Sequence, residues 1–232
     1  MAAGIAHEIN NPLASILLFS SNLLKKVPQE GPFREGLQII VQETLRCKAI
    51  IQDLLEFSRA NEPKTTPSNV NQVMERALHL LANEFKLRHI QLELDLAKSL
   101  PQILIDENQI EQIFVNLLLN AIQAIEEQGT ITIRTYMSSN RKNVTIDIAD
   151  TGCGIPPENM SKIFEPFFST KSKGTGLGLA VTYGIVQKHG GHIYADNQRK
   201  QGARFVVELP IPLGVDPRER QRDETSKDLN HR

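Results

Sequence analysis

The sequence predicts an α+β chain in two parts: an N-terminal antiparallel helical hairpin, then an α/β sandwich with one mixed sheet. Three observations predict it. Apolar residues recur at heptad spacing over the first 60 positions, a polar stretch with prolines interrupts them, and strand-like and helix-like patterns then alternate as far as Pro212. A length of 232 residues accommodates two such domains.

In the first helix, Ile9, Leu13, Ile16, Ser20, Leu23 and Val27 alternate by four and three, the seam of a helix packed along another helix. Pro28 and the 29–32 stretch with Gly31 break it. A second helix is predicted over Phe33–Ser58. Its seam is Leu37, Ile40, Thr44, Cys47, Ile51 and Leu54, widened by Val41, Leu45 and Leu55. One hairpin leaves much of this stripe wet. Pairing two copies into a four-helix bundle would cover it, and packing on the rest of the chain is the alternative.

The segment 60–68 is polar, aperiodic and carries two prolines, as a linker does. Beyond it the patterns predict a helix over Val73–Phe85, strands at Ile90–Leu96 and Ile103–Ile105, and a helix from Asp106 to about Ile125. Asp106 with Gln109 forms a capping-box signature. Strands Thr130–Tyr136 and Val144–Ala149, a helix at Leu177–Lys188 and strands His192–Ala195 and Ala203–Leu209 complete the domain. The expected division is 1–60 hairpin, 61–68 linker, 69–212 α/β domain, and 213–232 a disordered charged tail.

Composition narrows the function classes. Hydrophobic residues make up 40% of the chain, enough for a core, and a net charge of -1 gives no basic field for nucleic acid. Cys47 and Cys153 lie far apart without metal-ligand spacing, so reduced thiols in a cytoplasmic protein are expected. No stretch reaches the ~20 apolar residues that span a bilayer. No membrane contact is therefore expected within these residues, and any anchor would lie upstream.

Four clusters carry chemistry. In AHEINNPL, His7 and Asn11 lie four apart on one face outside the seam, with Glu8 beside them. Pro12 removes the bond to the Glu8 carbonyl, so the helix is expected to kink or loosen there. A lone exposed histidine is ordinarily only solvated. Here a neighbouring carboxylate can fix its tautomer and leave the other nitrogen free to attack. In NLLLNAIQAI, Asn116 and Asn120 share a face within an apolar run. They are either buried side-chain-to-backbone bonds or hard oxygen ligands suited to Mg²⁺. In DIADTGCGIP a strand ends at Asp150, with Gly152 and Gly154 permitting a tight turn. Its carboxylate can accept a bond from an exocyclic amine, although Asp and Gly are also ordinary turn residues. In KGTGLGLA, Gly174, Gly176 and Gly178 open a helix whose amides can hold phosphate, while Rossmann and P-loop spacings are absent. Between the last two clusters, IFEPFFSTKSK reads as a lid with Phe164, Phe167 and Phe168 as an apolar latch, at least one of them in the core.

In this order and spacing the clusters resemble the bacterial sensor histidine kinases: an H box (AHEINNPL), N box (NLLLNAIQAI), G1 box (DTGCGIP), F box (IFEPFFSTK) and G2 box (GTGLGLA). The resemblance covers residues 1–212. The short lid and Gln123 are similar to the nitrogen-regulator-like branch. The resemblance implies a GHKL-type ATP-binding domain, with ATP and Mg²⁺ as cofactors. It implies that His7 is the phosphoacceptor, that Glu8 activates it, and that Asn11 serves a reverse, phosphatase reaction. Asn120 would hold Mg²⁺ with Asn116 beside the triphosphate, and Asp150 would bind the adenine amine. Gly152, Gly154, Ile155, Thr170, Lys171, Gly174, Thr175, Gly176, Leu177 and Gly178 would shape the pocket, with Lys171 acting on the γ-phosphoryl group. A homodimer through the hairpin and a response-regulator receiver domain are the implied partners. In the family the first helix begins well upstream of the H box, so a trimmed core with a weaker dimer is expected. The alternatives are a hydrolytic ATPase related to gyrase, for which the helix lacks a glutamate base, and a silent dimerisation scaffold.

Overall fold

A computed structural model describes residues 2–58, 62–171, 174–196 and 202–212; the expected disordered tail at 213–232 lies outside them. The chain divides into two compact units, Met1–Asn61 with Ser161–Val181, and Glu62–Met160 with Thr182–Arg232.

The first unit contains α1 (Ala2–Leu24) packed along α2 (Pro32–Ser58). Helix α1 stays continuous across Pro12. At the turn, Lys26 and Val27 donate to the Leu23 carbonyl, and the Arg34 guanidinium donates to that of Leu24 at 3.1 Å, satisfying acceptors that a helix end leaves orphaned. The predicted seam splits between two faces. Ser20 and Thr44 are buried and Leu13, Leu17, Leu24 and Leu37 half-buried, whereas Ile9, Ile16, Leu23, Ile40 and Leu45 are all more than 40% exposed in the single chain. Both buried hydroxyls bond back into their own helix, Ser20 to Ile16 and Thr44 to Ile40 at 2.7 Å, so neither is left unsatisfied.

The second unit begins with a departure from the predicted linker. Thr66–Ser68 form β1, antiparallel to β2's successor β3; the strands are β1 (Thr66–Ser68), β2 (Ile90–Leu96) and β3 (Ile103–Ile105). Helix α3 (Val70–Leu80) starts three residues early because Asn69 caps it, accepting from the Asn71 amide at 2.9 Å. The predicted single helix breaks at Leu81 into α3 and α4 (Ala82–Leu87). Its apolar spacing hides the break, since Val73, Ala77, Leu81 and Phe85 are all buried across it.

Helix α5 (Glu107–Ala124) packs against α3 and onto the strand Asn143–Asp150, and its Phe114, Leu117 and Leu118 are essentially inaccessible. Each such side chain contributes roughly 1.5–3 kcal/mol of burial. The capping box is half formed. Asp106 Oδ1 accepts the Gln109 amide at 3.3 Å, but the Asp106 amide donates to His189 Nε2 at 3.1 Å instead of to Gln109. Gln109 Oε1 is left buried without a partner, a state that costs about 1–3 kcal/mol.

The main sheet has the order β2-β4-β5-β7-β6, with β4 (Gly129–Met137), β5 (Asn143–Asp150), β6 (His192–Asp196) and β7 (Arg204–Pro210). Only β2 and β4 run parallel. Helix α6 (Gly178–Lys188) precedes β6. Central strand β5 is buried on both faces. On one, Ile146 and Ile148 join the core. On the other, the Asp147 carboxylate takes the Arg204 guanidinium at 2.7 Å, which also reaches Asp196 at 3.2 Å. Asp147 raises the Arg204 pKa further above its ordinary range.

This ion pair generates a test. Asp147 is only 3% exposed, and removing it leaves the partly buried guanidinium with Asp196 alone. Loss of one partner of a buried pair costs about 3–5 kcal/mol, and the partial exposure of Arg204 together with its remaining Asp196 partner lowers the expectation for Asp147→Ala to about 1–3 kcal/mol. Urea unfolding measures it; an unchanged midpoint would reduce the pair to surface electrostatics.

Candidate functional site

At the end of β5, Asp150 is 3% exposed, and burying a carboxylate there requires partners. Its Oδ1 accepts the Gly152 amide at 2.8 Å and the Ala203 amide at 3.2 Å, while its own amide donates to the Ala203 carbonyl at 2.9 Å. The carboxylate plane is therefore fixed by backbone from two segments. Hydrogen bonds to an ionised acceptor are roughly twice as strong as neutral ones. A carboxylate offers roughly four acceptor positions, so a ligand amine can be accepted alongside such amides.

Close approach explains the glycines. A Cβ on Gly152 would lie 2.5 Å from the Ala124 carbonyl oxygen at the end of α5, which also accepts the Cys153 amide at 3.1 Å. Gly154 has φ +74, and its Cβ would stand 3.1 Å from the Gly202 carbonyl. Ile155 beside it is half-buried. The loop is thus clasped between the end of α5 and the residues leading into β7.

The α5 amides sit differently from the expectation of deep burial. Asn116 and Asn120 are half-buried at the rim of a face whose Ile113, Phe114, Leu117 and Ala121 are buried. Asn116 Nδ2 donates to the wholly buried Thr182 hydroxyl of α6 at 3.4 Å. Neither residue is sealed into the core. Among the described residues no group of three or more His, Cys, Asp or Glu side chains gathers to hold a metal. A divalent ion there would need further oxygens from a bound phosphate and water, as Mg²⁺ ordinarily takes them.

The lid and the glycine turn belong to the other unit. Gly174, Thr175, Gly176 and Gly178 are half-buried and Leu177 fully so. Gly176, at φ +69, accepts the Phe167 amide at 3.0 Å, and a Cβ on it would run into the Phe167 backbone. Leu177 donates to Thr175 Oγ1 at 3.3 Å. Phe167 departs from the expected latch: it is 64% exposed at φ +67, while Phe164 and Phe168 are half-buried. Thr170 and Lys171 are exposed, the latter's amide donating to Ser169 Oγ at 3.1 Å. On α1, Glu8 and Asn11 are exposed; the backbone of His7 is helical and its side chain lies outside the described residues.

Gly202 and Ala203, which approach Asp150, and His189, which bonds the start of α5, carry no signal in the sequence. Gly202 has φ +84, and a Cβ there would collide with the Asp150 carbonyl oxygen. Gly190 has a similar φ of +68 but only Pro210 nearby, at 3.7 Å. The left-handed conformation alone costs a non-glycine residue roughly 1–2 kcal/mol. Gly190→Ala is therefore expected to cost about that much, and Gly202→Ala at least about 1 kcal/mol more because Asp150 must shift. Thermal unfolding of both variants checks this; equal losses would mean that Gly202 answers to conformation alone.

Comparisons with known proteins bear on both parts. The "His Kinase A (phospho-acceptor) domain" model matches residues 1–63, and the "Histidine kinase-, DNA gyrase B-, and HSP90-like ATPase" model matches residues 105–213. Sensor histidine kinase ZraS of Salmonella typhi is 37% identical over 91% of this chain and 45% of its own length. The chain thus spans about half the length of the curated relatives it matches. Full-length ShkA in complex with AMPPNP superposes with a TM-score of 0.75 at 26% identity, over 93% of this chain and 46% of that one. Histidine kinase ThkA, solved with response regulator protein TrrA, gives 0.69 at 29% identity over 93% and 62%. No described helix is long and apolar enough to cross a membrane. With the phosphoacceptor-type hairpin and the ATPase-type domain in one chain, this protein belongs to the bacterial sensor histidine kinases and comprises their catalytic core.

Proposed function

We propose that the chain transfers the γ-phosphoryl group of Mg·ATP to His7 and passes it to an aspartate of a response-regulator receiver domain, with Asn11 serving the reverse, phosphatase reaction. The observation that carries the reading is the coincidence of both matched domains on one chain, residues 1–63 and 105–213. The hydrogen bonds that orient the Asp150 carboxylate support the nucleotide half.

In this reading a lone-pair nitrogen of His7 attacks the γ-phosphorus, the bond to the β-phosphate oxygen breaks and ADP leaves. Glu8 takes the proton from the other ring nitrogen, so the phosphorylated imidazole does not remain cationic. Asp150 accepts the adenine amino group, with Ile155 against the base. Asn120, beside Asn116, would hold Mg²⁺, which offsets phosphate charge when bound. The amides of Gly174, Thr175, Gly176, Leu177 and Gly178 take phosphate oxygens at the start of α6. Thr170 and Lys171 of the lid meet the γ-group, the lysine stabilising charge during transfer.

Two further parts follow the same reasoning. The exposed Ile9, Ile16, Leu23 and Ile40 are covered by a second hairpin in a homodimer. The hairpin is 1–60 and the α/β domain runs to 212, with 61–68 joining them and contributing β1 to the latter. Assignment to the nitrogen-regulator-like branch rests on the short lid and Gln123 alone.

Incubation with γ-labelled ATP and Mg²⁺ tests the reading. The parent should acquire acid-labile, alkali-stable label, His7→Gln should acquire none while still binding ATP, and Glu8→Gln should slow labelling about 10²–10⁴-fold. Steady ATP hydrolysis without label would favour a hydrolytic ATPase, and undiminished labelling of His7→Gln would remove that residue from its role.

A further inference from the structure

His189 carries no part in the proposed reaction, yet it is 8% exposed and both its ring nitrogens are engaged by backbone. It stands at the end of α6, in a Schellman motif. The Gly191 amide donates to the Val186 carbonyl at 3.0 Å, the Gly190 amide to that of Gln187 at 2.9 Å, and Gly190 adopts φ +68. His189 Nε2 accepts the Asp106 amide at 3.1 Å, and Nδ1 lies 2.9 Å from the Ile185 carbonyl. An amide can only donate and a carbonyl can only accept. The ring must therefore be neutral, with its proton on Nδ1 and its lone pair on Nε2.

This one side chain joins two helix ends. Through Nδ1–H it adds a second bond to the Ile185 carbonyl in the last turn of α6, which also accepts the His189 amide at 3.1 Å, and through Nε2 it takes the amide of the residue that caps α5. The amide had a local alternative. Gln109 stands at the capping-box position with a buried, unpartnered Oε1, so the intrahelical bond is forgone in favour of the link to α6. Seven residues before His189, Thr182 receives the Asn116 amide, ten residues beyond Asp106. The antiparallel pair is thus pinned at two levels, and α5 bears both Asn116 and Asn120.

We propose that His189, in its Nδ1–H tautomer, is a positioning residue: it fixes α5 axially against α6 and so holds Asn116 and Asn120 in place for Mg·nucleotide. The functional half rests on the reading of these asparagines given above; the tautomer and the link do not.

Three variants of the full chain separate the link from simple helix capping. A glutamine amide reaches the Nε2 position and can accept from Asp106, whereas an asparagine amide reaches only the Nδ1 position and can cap Ile185. His189→Leu does neither. Calorimetric titration with Mg·AMPPNP should show His189→Gln within about threefold of the parent, and His189→Asn and His189→Leu both weaker by about tenfold, the scale of a typical coupling between sites. Asparagine binding like the parent, or all three variants weakened alike, would overturn the proposal, as would no change in any of them. Should the leucine variant fail to fold, the glutamine–asparagine contrast decides. Long-range ¹⁵N NMR of the parent should find Nδ1 protonated and Nε2 bare, and the opposite tautomer would overturn the link. If the parent itself bound no Mg·nucleotide, the reading of the asparagines would fall. The tautomer and the Asp106 amide exchange rate, slow in the parent and glutamine variant and fast in the leucine and asparagine variants, would still decide the link.

Discussion

A carboxylate buried at the end of a doubly covered strand constrains the whole α/β domain. Asp150 has little access to water, so backbone must satisfy it, and the two amides that do so come from the following loop and from the residue before β7. Bringing those amides close excludes side chains at Gly202 and Gly152, whose Cβ atoms would enter the Asp150 and Ala124 carbonyls. The same approach sets the Asp150 end of the β5–β7 pairing, where Ala149 faces Arg204, and brings the loop against the end of α5. A fixed acceptor at a strand end suits recognition of a planar base edge because little reorganisation is left for the ligand to cause.

The hairpin obeys a different constraint. Its two helices cover one another along Leu13, Leu17, Leu24 and Leu37 but leave Ile16, Leu23, Ile39 and Leu45 in water. Two buried hydroxyls, Ser20 and Thr44, stand in this otherwise apolar seam and bond to their own helix backbone. Several of its large apolar side chains are exposed in the single chain. In the proposed homodimer, stability in this part would depend on protein concentration, whereas the α/β domain holds its own core.

Much of the fold was legible because local pattern and tertiary role agree. The strands at Ile90–Leu96 and Ile103–Ile105 and the helix after Asp106 lie where alternation and capping place them. The misses have physical causes. The α3–α4 break leaves the apolar period intact, so periodicity cannot reveal it. Strand β1 is three residues long, two of them exposed, and exists through its pairing with β3. The wet part of the heptad stripe, by contrast, was legible, and Ile9, Ile16, Leu23, Ile40 and Leu45 are its exposed members in the single chain. The capping box was half wrong because a histidine 83 residues away competes for the same amide. Gly202 and His189 act through contacts remote in sequence, and a lone glycine or histidine announces no such contact. The Asp150 and Gly152 positions were readable because strand, acid and glycine lie together.

The central claim is that Asp150 reads a base through a carboxylate that backbone holds in place. Calorimetric titration of the parent and Asp150→Asn with Mg·ATP and Mg·GTP tests it most directly. An amide in place of the carboxylate loses one acceptor and gains a donor, so its match to an exocyclic amine becomes ambiguous. The account predicts that the parent prefers ATP by about 10²-fold or more and that the variant loses most of this preference. A parent that bound both nucleotides alike, or a variant that kept the full preference, would contradict it.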